Sequence, residues 1–303
     1  MLGRKGYIVD FLLITAVVIW GFNFAVMKLM YRYFHPFTFN AIRFTIASIV
    51  MLLLLKVRGE SPRVERQDVR GVLWLGLLGN TLYPFVFVLG LDRTKAGNAA
   101  LLMALTPVFA FLIGVAMKKE RFSPGVLTGI VLSLAGVAAI VLFGSQEFSF
   151  ASLRSGRGDL LMIAAAALWG WQSAQSMRLL PKYGPLRLTV SAMIAGTAFM
   201  VPLSIPWLTT QNFRGIPPVA WLGLGYSALL SITYAYFVWA YALSTIGVAH
   251  TSVFNNLTPI VALLAGWFLL AETPALPQLA GVILVLVGVF MVRSRKPMPV
   301  PDE

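Results

Sequence analysis

Apolar residues run through this chain in long stretches bounded by Lys/Arg, Pro or Gly clusters. Ten such stretches predict helices, at residues 8–28, 37–55, 71–91, 96–117, 125–143, 159–180, 187–207, 219–243, 248–270 and 277–292. Each holds about 20 residues, enough helix at 1.5 Å per residue to cross a hydrocarbon core about 30 Å thick. The first stretch follows Arg4 and Lys5 like the basic start of a signal peptide, yet Trp20, Gly21, Phe22 and Asn23 stand where small cleavage-site residues are expected. It reads as an uncleaved helix. The fold class expected is an all-α polytopic membrane protein with ten transmembrane helices.

Composition strengthens this reading. Of 303 residues 58% are hydrophobic and 12% charged, about half the charge of a soluble domain. Large extramembrane domains are excluded, and the lipid bilayer is the expected solvent. The net charge of +13 does not point to nucleic acid, because the basic residues lie singly or in small groups between apolar runs. They report orientation instead. The two tails and the even-numbered loops carry 16 Lys/Arg, the opposite loops carry 7, and Arg43 lies inside a run. The positive-inside rule therefore places both termini in the cytoplasm. With no cysteine in the chain, thiolate metal sites and thiol nucleophiles are excluded, and no cofactor or metal is expected.

The chain repeats itself. Displaced by 152 residues, Leu105-Thr106-Pro107 falls on Leu257-Thr258-Pro259, Glu120 on Glu272, and Gly114, Gly129 and Gly136 on Gly266, Gly281 and Gly288. Residues 105–137 match at 13 of 33 positions. At a displacement of 149, Trp20-Gly21 falls on Trp169-Gly170 and Asn23 on Gln172. Two five-helix repeats are expected, at 1–145 and 159–293, with a linker at 146–158 and a short cytoplasmic tail at 294–303. Five is odd, so the second repeat enters from the opposite side. Many secondary transporters use such inverted repeats to expose one central cavity alternately to either side. A fused pair of repeats completes the cavity in one chain, which predicts a functional monomer.

Candidate residues follow from polar groups placed in hydrocarbon, where an unpartnered amide is costly. Trp20, Asn23 and Met27 share one helix face, as do Trp169, Gln172 and Ser176. Tyr83 and Tyr234 correspond at a displacement of 151 and lie well inside their runs. Asn98 and His250 correspond at 152 and begin runs four and nine. These predict a cavity lined by Trp20, Asn23, Tyr83, Asn98, Trp169, Gln172, Tyr234 and His250. Pro107 and Pro259 each remove a donor in mid-span, freeing the carbonyls of Met103 and Asn255, and are expected to act as hinges or gates. Arg43, about 10 Å into its run, and Glu120 and Glu272 at the ends of runs four and nine are candidate structural or coupling charges. The small residues Gly125, Gly129, Gly136, Gly281 and Gly288 suit close approach of helices five and ten.

What is missing also constrains function. No Asp or Glu lies in the middle of any run, so the usual carboxylate site for proton or sodium is absent. The cavity is expected to be neutral and aromatic-polar. A Walker lysine motif is absent too, which excludes direct drive by ATP. An intramembrane enzyme would need a paired acid and base or a metal set, and the chain offers only His35 and His250. No enzyme is expected.

These features together resemble the drug/metabolite transporter superfamily, EamA type, over nearly the whole chain. The resemblance is carried by Trp20-Gly21 and Trp169-Gly170, by Pro36 with Arg43, by the two Leu-Thr-Pro triplets, and by Glu120 and Glu272. Run seven departs from the pattern: Pro185 is kept, while Ala192 stands where the repeat would place an Arg. Within the superfamily the chain is most similar to the YddG-type aromatic amino-acid exporters of the bacterial inner membrane. The resemblance implies ten helices around a central cavity and export of amino acids, aromatic ones among them. Superfamily relatives also move drugs, nucleosides and sugars, so a drug-like or nucleoside metabolite is the alternative substrate.

Overall fold

A computed structural model of the chain describes residues 4–94, 96–143, 157–261, 263–264 and 274–295. The helices are α1 (Arg4–Met30), α2 (Pro36–Val57), α3 (Arg66–Arg93), α4 (Ala96–Met103), α5 (Thr106–Ala116), α6 (Pro124–Leu142), α7 (Arg157–Ser176), the single turn α8 (Leu180–Tyr183), α9 (Pro185–Thr210), α10 (Pro218–Ile246), α11 (Val248–Ser252) and α12 (Leu276–Ser294). Among the described residues there is no strand. Seven of these helices, α1, α2, α3, α6, α9, α10 and α12, are long and apolar enough to cross a membrane, and a shorter apolar helical stretch, Leu101–Ala116, is shared between the end of α4 and α5. Glu272, part of the 248–270 run, and the 146–156 part of the linker lie outside the described residues.

Burial is inverted relative to a soluble protein. Phe11, Leu160, Leu222, Ile283 and Phe290 are each more than 60% exposed, whereas Asn40, Asn80, Thr81, Thr106 and Asn256 are buried. Large apolar side chains outside and amides inside fit a lipid surround.

Side-chain contacts sort the connections into two ends. At one end Arg293 Nε donates to Asp10 Oδ1 at 2.7 Å and the same guanidinium reaches the Gly6 carbonyl. His250 Nε2 meets the Arg295 carbonyl at 2.8 Å, and the Ala249 N–H donates to Glu120 Oε1 at 2.7 Å. The beginning of α1, the α5–α6 connection, the start of α11 and the end of α12 therefore sit together. Lys182 joins Glu65 and Asp68 at 2.7 and 2.6 Å, tying the α2–α3 connection to α8. At the other end Thr94 Oγ1 donates to Asp159 Oδ1 at 2.6 Å, and the His35 N–H donates to Gln211 Oε1 at 2.8 Å.

Helices α6 and α12 touch backbone to backbone. A Cβ on Gly136 would lie 2.6 Å from the Gly281 carbonyl, and one on Gly288 would lie 2.5 Å from the Gly129 carbonyl. Only glycine permits that approach. Asn256 Nδ2 adds a hydrogen bond to Ser133 Oγ at 2.7 Å. Gly125 plays no part in this seam and faces the Arg295 guanidinium.

Two features differ from the sequence expectation. The run at 96–117 is not one helix: it turns at Ala104–Leu105 and restarts at Thr106. Pro107 thus stands in the first turn of α5, where its missing N–H leaves no acceptor stranded. Pro259 likewise follows a break, the 3₁₀ segment Val253–Leu257. The second difference lies within α3 and α10, which contain π-helical stretches at Leu75–Leu82 and Ser227–Tyr234. These stretches lie 152 residues apart, the displacement that aligns the Leu-Thr-Pro triplets.

Candidate functional site

A cavity opens between α1, α2, α3, α7 and α10. Its wall includes Trp20, Asn23, Phe24 and Met27 from α1, Arg43 from α2, Tyr83, Pro84 and Phe87 from α3, Trp169 from α7, and Ser231 and Tyr236 from α10. The breaks in chain after α4 and before Pro259 add Met103, Ala104, Asn255 and Thr258. The space between these groups, with the open solvent at its mouth included, is about 770 Å³.

The π turns decide which tyrosines face it. A π turn takes one residue more than an α turn, so the side chains beyond it are displaced around the helix. Tyr236 lines the cavity, while Tyr234 turns to α1 and shares a 2.7 Å hydrogen bond with Thr15 Oγ1. The 151-residue pairing of Tyr83 with Tyr234 is corrected accordingly: the backbones align at 152, which sets Pro84 opposite Tyr236. Both line the cavity.

Five rings form its floor. Trp20 meets Trp169 at 5.8 Å between centroids, nearly edge-on, and Trp239 at 5.4 Å. Trp169 lies 5.2 Å from Tyr236, 5.5 Å from Trp239 and 5.0 Å from Tyr83. Two indole N–H groups are spent on holding the cluster: Trp20 Nε1 donates to the Ser231 carbonyl at 2.9 Å, and Trp239 Nε1 to Ser173 Oγ at 3.0 Å. Such offset and edge contacts each add roughly 0.5–1.5 kcal/mol beyond burial.

Behind this floor lies a second cavity. It is lined by Trp169, Gln172, Ser173, Ser176 and Tyr236, with Asn80, Leu188, Ala192, Trp239 and Leu243 among the rest. Trp169 and Tyr236 face both spaces. Gln172 therefore lines the second cavity and not the one that holds Asn23. Its position mirrors that of Asn23, because 149 residues separate Trp20 from Trp169, Asn23 from Gln172, Met27 from Ser176 and Arg43 from Ala192. Gly79 lets Gln172 pass, since a Cβ there would meet its Cδ.

The expectation of a neutral cavity needs a correction. Arg43 does not reach for the membrane surface: it is 6% exposed and turned inward. Its Nε donates to Asn40 Oδ1 at 2.7 Å, and its Nη1 to Ser227 Oγ at 2.9 Å and Met27 Sδ at 3.2 Å. Phe39 and Phe44 lie 5.6 Å from its charged carbon. Beside it, Asn23 Nδ2 donates to the same Met27 Sδ at 3.1 Å, while Asn23 Oδ1 is buried without a partner.

Other expected site residues lie elsewhere. His250 is buried at the far end of the molecule against Arg295 and lines neither cavity. Asn98 stands on α4, and its side chain is outside the described residues. Glu120 lies in the α5–α6 connection and accepts the N–H groups of Ala249 and Val248, which cap α11; burial nevertheless raises its carboxyl to about 7. Phe24, Phe87 and Trp239 join the site without having been expected there. Phe24 and Phe87 carry no polar group to mark them in an apolar run, but Phe24 follows Trp20 by four residues, the spacing that shares a face.

Comparison with known proteins agrees over nearly the full length. The model of the EamA-like transporter family matches residues 7–142 and 156–294. An uncharacterized transporter of Archaeoglobus fulgidus is 30% identical over 94% of this chain and 97% of its own length. A probable terminal-alkyne amino-acid exporter of Streptantibioticus cattleyicolor is 27% identical over 93% and 92%. A solved crystal structure superposes with a TM-score of 0.77 at 20% identity, covering 93% of this chain and 95% of the other, which is a likeness of fold.

Proposed function

The chain belongs to the EamA-like transporter family, and on that premise we propose that it is a secondary carrier that exports amino acids, aromatic ones included, by alternating access. It spans the bacterial inner membrane ten times as two inverted five-helix repeats, both termini cytoplasmic, and works as a monomer. The observation that carries this reading is the pair of cavities separated by one aromatic floor, with residues one repeat apart in equivalent places. Inverted repeats that exchange conformations exchange their cavities. One cavity closes onto the floor as the other opens.

Several further facts support it. The contacts that gather the start of α1, the α5–α6 connection, the start of α11 and the end of α12 at one end are those of a chain with an even number of crossings. That end collects most of the Lys/Arg, as a cytoplasmic face does. The chain breaks before Pro107 and Pro259 fall beside the cavity, where freed backbone is tolerated and bending is cheap. The substrate class rests on the wall itself, a ring of Trp, Tyr and Phe around a few polar groups, and on the amino-acid exporter named among the relatives. The relatives are named as transporters.

Purified protein in liposomes preloaded with phenylalanine should accelerate uptake of labelled phenylalanine by counterflow. A panel of aromatic and aliphatic amino acids against nucleosides and cationic drugs separates the substrate classes. Counterflow driven by nucleosides or drugs but by no amino acid would replace the proposed substrate with the alternative.

A further inference from the structure

Arg43 is a buried cation without an anion. Its polar partners, Asn40 Oδ1, Ser227 Oγ and Met27 Sδ, are all neutral. Among the described residues the ion pairs lie elsewhere, at Lys182 and Arg293. Neutral acceptors can orient a guanidinium but cannot neutralise it. A charge withdrawn from water and from lipid headgroups in this way is retained at a cost, and one facing a cavity invites a diffusible counter-ion.

The neighbouring group supplies the second half of a recognition pattern. Asn23 and Arg43 share Met27 Sδ as an acceptor, at 3.1 and 3.2 Å, so the amide and the guanidinium lie side by side in the wall. Asn23 is 7% exposed and its Oδ1 has no partner. A fork of donors beside a lone acceptor is complementary to a carboxylate beside an ammonium. Phe24, Phe87, Tyr83 and Trp169 then enclose whatever the head group carries. Ala192, one repeat on, leaves the lining of the second cavity without a cation.

We propose that Arg43 binds the substrate carboxylate and that Asn23 Oδ1 accepts from its ammonium, so that the cavity selects α-amino acid zwitterions by their head group. This rests on the export of amino acids proposed above and adds to it which atoms are recognised. Asn40 and Ser227 are positioning residues for the guanidinium.

The test uses the full chain in liposomes, with counterflow of labelled L-phenylalanine competed by unlabelled L-phenylalanine, by phenylethylamine, which lacks the carboxylate, and by phenylpropionate, which lacks the ammonium. Charged hydrogen bonds of this kind are worth on the order of 10- to 100-fold in affinity. Phenylethylamine should need that excess to compete, and phenylpropionate a smaller one. In R43Q the half-saturating phenylalanine concentration should rise by the same factor while competition by phenylethylamine stays as it was, and R43K should recover part of the loss. If phenylethylamine competes with the unaltered protein as well as phenylalanine does, Arg43 is not the carboxylate site. Arg43 loses that role equally if R43Q keeps the original ratio between the two ligands. Where R43Q does not fold, R43K carries the comparison, with an affinity for phenylalanine below that of the unaltered protein expected and an unchanged affinity overturning the assignment. Transport of phenylalanine without head-group discrimination overturns only this assignment, whereas absence of any amino-acid transport overturns the export reading together with it.

Discussion

Thr81 and Thr233, 152 residues apart, make the same contact: each hydroxyl donates to the carbonyl five residues earlier, Gly76 at 3.3 Å and Ala228 at 2.9 Å. Five residues is the π-helical step, so each threonine holds its carbonyl within the widened turn. Thr81 also donates to the Gly196 carbonyl of α9 at 2.8 Å. The widened turns of α3 and α10 carry Tyr83 and Tyr236 onto the cavity. Replacing Thr233 with Val, similar in shape but without the hydroxyl, should remove this one hydrogen bond to the Ala228 carbonyl at a cost of about 0.5–1.5 kcal/mol and reduce phenylalanine flux. Thermal unfolding in detergent and counterflow check the two effects.

The aromatic floor should matter to transport more than to assembly. Trp169 meets four other rings, so Trp169→Ala is expected to lower flux by about tenfold or more, in line with roughly 0.5–1.5 kcal/mol per ring pair, while membrane insertion continues. Trp239→Phe keeps a ring and loses only the bond to Ser173, and should have the smaller effect. Flux measured per inserted molecule compares them; equal flux in Trp169→Ala and the parent would make the floor a packing feature.

Glycine substitutions separate contact from open space. Gly288→Val forces side-chain atoms against the Gly129 carbonyl and the Ser133 amide, both backbone, whereas a Cβ at Gly225 meets nothing within 4 Å. Overpacking of this kind costs about 1–3 kcal/mol. Gly288→Val should melt well below the parent and Gly225→Val close to it, as followed by tryptophan fluorescence.

Glu120 predicts a pH dependence. Its carboxyl is raised from 4.5 to about 7 by burial, against the opposing pull of the Ala249 and Val248 N–H groups. A raised pKa means that the folded protein holds this proton more tightly than the unfolded chain. The stabilisation is complete below about pH 4.5 and is lost as pH rises through about 7. Melting temperature should decline over that window. E120Q, neutral at every pH and still able to accept from Ala249, should flatten the decline; an unchanged slope would assign it to another group.

Trp20, Asn23, Met27 and Trp169 are legible in the sequence because two signals converge on them, helical spacing and the internal repeat. The close seam of α6 and α12 is legible for the same reason, through matched glycines. Sequence spacing selects Tyr234 where the structure places Tyr236, because a π turn leaves no mark in hydrophobic periodicity. It also groups Gln172 with Asn23, although the two line different cavities that share Trp169 and Tyr236. The inward turn of Arg43 depends on Asn40, Ser227 and Met27, which come from three different parts of the chain. His250 stands at the beginning of a helix, against the Arg295 carbonyl and outside the lining of both cavities, since a polar residue at a helix start often serves the connection it sits beside.

The natural absence of cysteine makes one measurement especially direct. Single substitutions Met27→Cys in the cavity holding Arg43 and Ser176→Cys in the cavity behind the floor can be probed with a membrane-impermeant maleimide added from either side of oriented vesicles. Alternating access predicts that each site reacts from one side only, Met27→Cys from the periplasmic face and Ser176→Cys from the cytoplasmic face. It further predicts that saturating phenylalanine changes the two labelling rates in opposite directions. Both sites labelled together from the same side, or two rates that rise and fall in parallel, would contradict a carrier that opens its two cavities in turn.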